Sequence, residues 1–169
     1  MRSQEGFKGV IRKVQVVSLI GVVIPTYREQ DNIAKLAGTL VAQLPGVKVA
    51  IVDDSPDLLT VDAVEALGLP NVTVHRRDSK DGRGSAVLFG ISQLLERDCD
   101  YIVEMDADFS HPPEQIPQLL AQVHAEQIDL LIASRYLPSS QIINWPLGRR
   151  IFSRLANQFA RLLLQIPIS

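Results

Sequence analysis

Short apolar runs rich in valine and isoleucine recur along this chain at residues 20–24, 47–52, 72–74, 101–105 and 130–133, each bounded by proline, aspartate or glycine. Between them, residues 31–43, 60–67, 85–96 and 117–125 carry apolar side chains every three or four positions. The first pattern reads as buried strands and the second as helices with one apolar face. Parallel neighbours in a sheet need crossover connections, so the repeated order predicts an α/β fold: a Rossmann-like, mostly parallel sheet flanked by helices. With 169 residues, 46% of them hydrophobic, the chain can bury one core of ordinary size.

Ligands in such sheets sit beyond the carboxyl ends of the strands. Three of the four segments there carry acids: Pro25-Thr26-Tyr27-Arg28-Glu29, Asp53-Asp54-Ser55-Pro56-Asp57 and Asp106-Ala107-Asp108, the fourth being Ser134-Arg135-Tyr136. Asp106 and Asp108, one small residue apart, suit Mg2+ or Mn2+, which can also bridge to a diphosphate. The same two acids can instead cap the loop before the helix that Pro112 and Pro113 announce. Asp53 and Asp54 can accept hydrogen bonds from a base or ribose, and Tyr27 offers a flat face for a base. Asp57 fits equally well as an Asx turn or the N-cap of the next helix, and Glu29 and Asp31 can be acids drawn to a helix N-terminus. Arg135 suits bidentate pairing with a phosphate or carboxylate, or a surface ion pair.

Other features narrow the function classes. Asp81-Gly82-Arg83-Gly84-Ser85 lacks the Gly-Lys-Ser/Thr ending of a P-loop and the third glycine of a dinucleotide fingerprint. The basic stretch from His75 to Arg83 could touch phosphates, though it reads first as a solvated loop. His111 has no second His or Cys at ligand spacing, which argues against zinc. A sugar nucleotidyltransferase would carry a Gly-rich loop where Pro25-Thr26-Tyr27 stands.

Charge is segregated along the chain. Residues 1–13 hold four bases and one acid, residues 14–129 eight bases and eighteen acids, and residues 130–169 five arginines and no acid. An acidic middle suits cations and basic ends suit anions. From Leu147 to Ile166, Ile151, Phe152, Leu155, Phe159, Leu162, Leu163 and Ile166 fall on one side, and Arg150, Arg154, Gln158 and Arg161 on the other. This amphipathic helix can lie in a membrane interface or pack on the core. The longest apolar stretch, residues 14–25, is interrupted by Gln15 and Ser18 and is shorter than the roughly 20 residues of a membrane span. Cys99 is alone, and residues 1–13 lack a signal-peptide pattern. A cytoplasmic setting with peripheral contact at the membrane surface is expected, with no nucleic-acid partner.

Taken in order, Val23 to Glu29 with Asn32, Val52 to Asp57, Gly82 to Ala86, Met105 to Glu114 and Ala133 to Tyr136 form a set that resembles the family 2 glycosyltransferases. Within them it looks most like the dolichyl-phosphate (polyprenyl-phosphate) mannose synthase group. The likeness runs from about Val22 to the end and includes Asn144 to Arg150 and Ser153 to Asn157. It implies a GT-A fold and inverting transfer of a hexose, mannose in that group, from a nucleoside-diphosphate sugar of the GDP-mannose or UDP-glucose type to a polyprenyl or dolichyl phosphate.

By the same resemblance Pro25, Tyr27, Glu29, Val52 and Asp54 would surround the nucleoside, and Asp106 and Ala107 would line the donor. Asp108, with Asp106 beside it, would hold Mg2+ or Mn2+, and Arg135 would face the diphosphate or sugar. The catalytic set is then Asp106, Asp108 and Arg135. Residues 1–19 would be a basic extension, 20–146 the donor-binding domain, and 147–169 a basic helix opening an acceptor side cut short at Ser169. The family's Asp-Asp-x-Ser-Pro-Asp-Gly-Thr pattern departs here, since Asp54 runs straight into Ser55-Pro56-Asp57-Leu58-Leu59-Thr60. The alternative is a truncated or divergent homologue, or a subunit, that binds nucleotide sugar without transfer.

Overall fold

A computed structural model describes residues 18–134 and 146–164. Its first half alternates strand and helix: β1 Ile20–Thr26, α1 Gln30–Gln43, β2 Lys48–Asp53, α2 Leu59–Glu65, β3 Val72–Arg76, α3 Arg83–Leu95 and β4 Tyr101–Glu104. A 3-10 turn at Pro113–Gln115 leads into α4, Ile116–Glu126, and α5 spans Leu147–Leu164. Two compact units divide at Pro117 and Gln118.

The first unit holds a four-stranded sheet in the order β3-β2-β1-β4, and all pairings are parallel. The central strands β1 and β2 are buried on both faces, which explains why they read as continuous apolar runs instead of alternating ones. Val22, Val23, Ile24, Val49, Ile51 and Val52 have essentially no exposed surface. On α1, Ile33, Leu36, Ala37 and Leu40 are buried, the spacing of one helix face.

Helix α3 packs on both central strands through Ala86, Gly90 and Leu94, in a cluster with Val23, Ala50, Val52 and Cys99. Gly90 permits this approach, because a Cβ there would stand 2.2 Å from Val23 Cγ2. The close seating puts the start of α3 beside the carboxyl ends of β1 and β4.

The apolar run at residues 130–133, expected as a strand, has no ladder partner among the described residues. Leu130 and Ile132 are exposed, so this short run does not have the two-sided burial that holds β1 and β2. In the second unit the expected C-terminal helix is present as α5, and Ile151, Phe152, Leu155, Phe159, Leu162 and Leu163 on it are exposed.

Candidate active site

The turn leaving β1 is built by a buried polar strut. Asp53, fully buried, accepts hydrogen bonds on Oδ1 from Thr26 Oγ1 at 2.9 Å and Ser55 Oγ at 2.7 Å. Ser55 Oγ in turn accepts the Arg28 backbone N–H at 2.8 Å. Arg28 sits at φ 59°, a left-handed conformation that costs a residue other than glycine about 1–2 kcal/mol. The strut holds the chain in that turn, and the neighbours Tyr27 and Glu29 both reach the pocket beyond it. Glu29 also opens α1, its carbonyl accepting the Asn32 and Ile33 N–H groups and its carboxylate the Asn32 amide.

That open pocket, about 250 Å3, lies at the carboxyl ends of β1, β2 and β4 and the start of α3. Of the residues singled out in the sequence, Pro25, Tyr27, Glu29, Asp54, Asp106, Ala107 and Asp108 line it together. Val52 is not brought there: its side chain is fully buried in the core, while its carbonyl accepts a hydrogen bond from Thr26 Oγ1. Arg135 lies outside the described residues.

Three cations of the stretch after β3, which reads from sequence as a solvated loop, instead serve this site. Arg77 holds Asp54 with two 2.6 Å hydrogen bonds and donates a third, of 2.8 Å, to Ser85 Oγ. The hydrogen bond to Asp54 keeps the Arg77 pKa above its ordinary value despite burial. Lys80 sets its ammonium 3.5 Å from the centroid of the Tyr27 ring, a cation–π contact on a face that a base could use. Arg83, the first residue of α3, bonds Asp106 Oδ1 through Nη2 at 2.7 Å and Nε at 3.2 Å, and also Glu104. Desolvation acts against its charge, and the hydrogen bonds and charges of Asp106 and Glu104 outweigh it, so its pKa is raised. The sequence signal was the basic composition of residues 75–83; their acidic partners stand some 23 positions away in Asp54 and Asp106.

The segment after β4 is shaped by its own backbone. Asp106 N–H donates to His111 Nδ1 at 3.1 Å, giving His111 a structural part, and Asp108 Oδ1 accepts the Ser110 N–H at 2.9 Å. That backbone hydrogen bond holds the Asp108 carboxyl below its usual range, keeping it an anion. Among the described residues, no group of three or more His, Cys, Asp or Glu side chains is placed to hold a metal. Asp106 and Asp108 do fit Mg2+ or Mn2+ in a different way. Mg2+ is commonly held by one or two carboxylates, with substrate phosphates and water completing its shell, and the pocket offers hard anionic oxygens beside open space.

Known proteins resemble this chain over most of its length. The chain is 43% identical over 150 residues to a polyprenol monophosphomannose synthase of Mycolicibacterium smegmatis, covering 87% of this chain and 56% of that one. It is 37% identical over 149 residues to an undecaprenyl-phosphate mannosyltransferase of Micrococcus luteus, covering 87% of this chain and 60% of that one. The chain thus spans little more than half the length of these relatives. A glucosyl-3-phosphoglycerate synthase from Mycobacterium tuberculosis, crystallised with Mn2+, UDP and glucosyl-3-phosphoglycerate, shares the fold. It has a TM-score of 0.50 and 22% identity, over 73% of this chain and 46% of that one. The parallel sheet flanked by helices is thus the GT-A fold. The family model for glycosyl transferase family 2 matches residues 21–168, and the chain belongs to that family.

Proposed function

We propose that this chain carries the donor site of a mannosyltransferase that moves a hexose from a nucleoside-diphosphate sugar to a polyprenyl phosphate. The observation that carries the reading is the convergence of Tyr27, Glu29 and Asp54 with Asp106 and Asp108 on one pocket. The functions given for the two relatives supply the acceptor class and the sugar.

In this reading Tyr27 and Asp54 hold the nucleoside, and Arg77 keeps Asp54 fixed while doing so. Asp106 and Asp108 present the oxygens that hold the divalent cation. A cation held there would supply positive charge against the charge developing on the departing nucleoside diphosphate. The acceptor oxygen attacks the anomeric carbon in line as the bond to the diphosphate breaks, which inverts the configuration there. A phosphomonoester is largely deprotonated near neutrality, its second pKa being about 6, so a phosphate acceptor needs no strong general base. Residues 130–169, with five arginines and no acid, suit an anionic acceptor.

Helix α5 fits a place at the membrane surface. Phe152, Leu155, Phe159 and Leu162 share an exposed apolar face, and Arg154 and Arg161 fall on the other side. Among the described residues no helix is long and apolar enough to cross a membrane. An interfacial helix of this pattern buries its apolar face at the headgroup boundary and gains from anionic lipid.

The test is a transfer assay with labelled GDP-mannose and UDP-glucose, a short polyprenyl phosphate, and either Mn2+, Mg2+ or a chelator. The expected product is a metal-dependent polyprenyl-phosphate hexose. Tight nucleotide-sugar binding with no lipid-linked product would identify a binding homologue instead.

A further inference from the structure

Arg83 occupies an unusual position for a pocket cation, because its guanidinium sits on one of the carboxylates that the donor reading gives to the metal. Nη2 bonds both Asp106 Oδ1 and Glu104 Oε1, and Nε adds a second, longer bond to the same Asp106 oxygen. A divalent cation binds carboxylate oxygen at about 2.0–2.6 Å. An ion on that oxygen would therefore lie within a few ångströms of a group that already neutralises it, and the two positive charges would repel.

The two arginines of the site differ in how firmly they are held. Arg77 is 13% exposed and its partner Asp54 7%, whereas Arg83 is 54% exposed and Asp106 40%. Arg83 is free to leave without opening the core. It also has somewhere to go. A guanidinium carries five N–H donors in a planar fork that suits phosphate oxygens, and Arg83 stands at the first residue of α3, the positive end of that helix. Gly82, at φ 88°, makes the turn into the helix. Arg83 lines the open pocket together with Asp106 and Asp108, so space for a diphosphate lies beside it.

We propose that Arg83 is a resident counter-cation of Asp106 that makes divalent-metal binding depend on the nucleotide. The diphosphate draws the guanidinium off Asp106, and the freed carboxylate takes the metal. Metal and nucleotide then bind cooperatively, because each removes an obstacle to the other, and linkage makes the effect reciprocal. This inference rests on the donor-site reading above and adds the coupling between its two ligands.

The test compares the wild type, Arg83→Gln and Asp108→Asn. Each is titrated with Mn2+ alone, followed by the free-ion EPR signal, and with GDP and UDP in turn, with and without Mn2+, by calorimetry. For the wild type, weak Mn2+ binding alone and at least a roughly fivefold gain in nucleotide affinity with Mn2+ are expected. Arg83→Gln should bind Mn2+ alone several-fold tighter and lose part of that coupling, the remainder being the share that phosphate oxygens in the metal's own shell supply. If Asp108→Asn abolishes Mn2+ binding while Arg83→Gln changes neither quantity, the counter-cation proposal is overturned and the donor site stands. If Mn2+ binding survives Asp108→Asn unchanged, the donor-site reading fails and this proposal falls with it.

Discussion

Arg77 and Asp54 meet through two parallel hydrogen bonds of 2.6 Å, Nε to Oδ1 and Nη2 to Oδ2, with little of either side chain exposed. Such a fork fixes the plane of the carboxylate as well as its position. Asp54 therefore reaches the pocket in one orientation, each oxygen keeping lone-pair capacity for a nucleoside.

Replacing Arg77 with methionine strands an enclosed carboxylate. The expected loss is about 3 kcal/mol of folding stability, the lower end of what breaking an enclosed ion pair costs. Arg77→Lys should recover only part of this, since an ammonium cannot reproduce the fork. Urea unfolding of both variants measures the stability. Nucleotide titration of the folded fraction should show weaker binding in both.

Gly90→Ala should destabilise the first unit by about 1–3 kcal/mol, because the new Cβ would meet Val23 Cγ2 at 2.2 Å and Val52 Cγ2 at 3.1 Å inside the packed core. Gly84→Ala, on the same helix with nothing within 4 Å, should stay within about 0.5 kcal/mol of the wild type. Equal effects of the two substitutions would contradict the account of how α3 is seated.

His75 gives the fold a pH dependence of known sign. Its Nε2 is buried without a hydrogen-bond partner among the described residues, and its ring packs edge-on against Phe89. Burial, and then the charge of Arg97, lower its pKa from the ordinary 6.5. The unfolded chain therefore takes up the proton first as pH falls. Stability is full above about pH 6.5 and declines below it, toward the lower pKa of the folded state. Denaturant unfolding at pH 7.5 and 5.5 should show this decline in the wild type, and His75→Phe should reduce it.

Anionic vesicles should carry the protein down on sedimentation. The double substitution Phe152→Ser and Phe159→Ser should release most of it, and raised salt should weaken binding through the arginines of α5. Unchanged sedimentation of the double variant would remove α5 from the membrane contact.

The parts of this fold that are legible in the sequence are those set by local pattern. β1 and β2 stand out because burial on both faces demands an unbroken apolar run, and α1 because Ile33, Leu36, Ala37 and Leu40 keep helical spacing. Asp106 and Asp108 stand out because the ends of parallel strands are where ligands bind. What escapes is what depends on distant partners. Arg77 and Arg83 look like solvated charges until β3 and α3 bring them to Asp54 and Asp106. Asp53 looks like a second ligand-binding acid beside Asp54, yet strand alternation turns it inward to Thr26 and Ser55. The run at residues 130–133 has the composition of a strand without a described partner, and composition alone does not supply one.

Whether Asp108 holds the metal is decided by the rate of hexose transfer from GDP-mannose or UDP-glucose to a short polyprenyl phosphate by Asp108→Ala, set against the wild type at saturating Mn2+. A loss of at least about 100-fold is expected, the scale of removing one principal electrostatic group from a transfer site. Transfer by Asp108→Ala within a few-fold of the wild type, still dependent on Mn2+, would contradict that role.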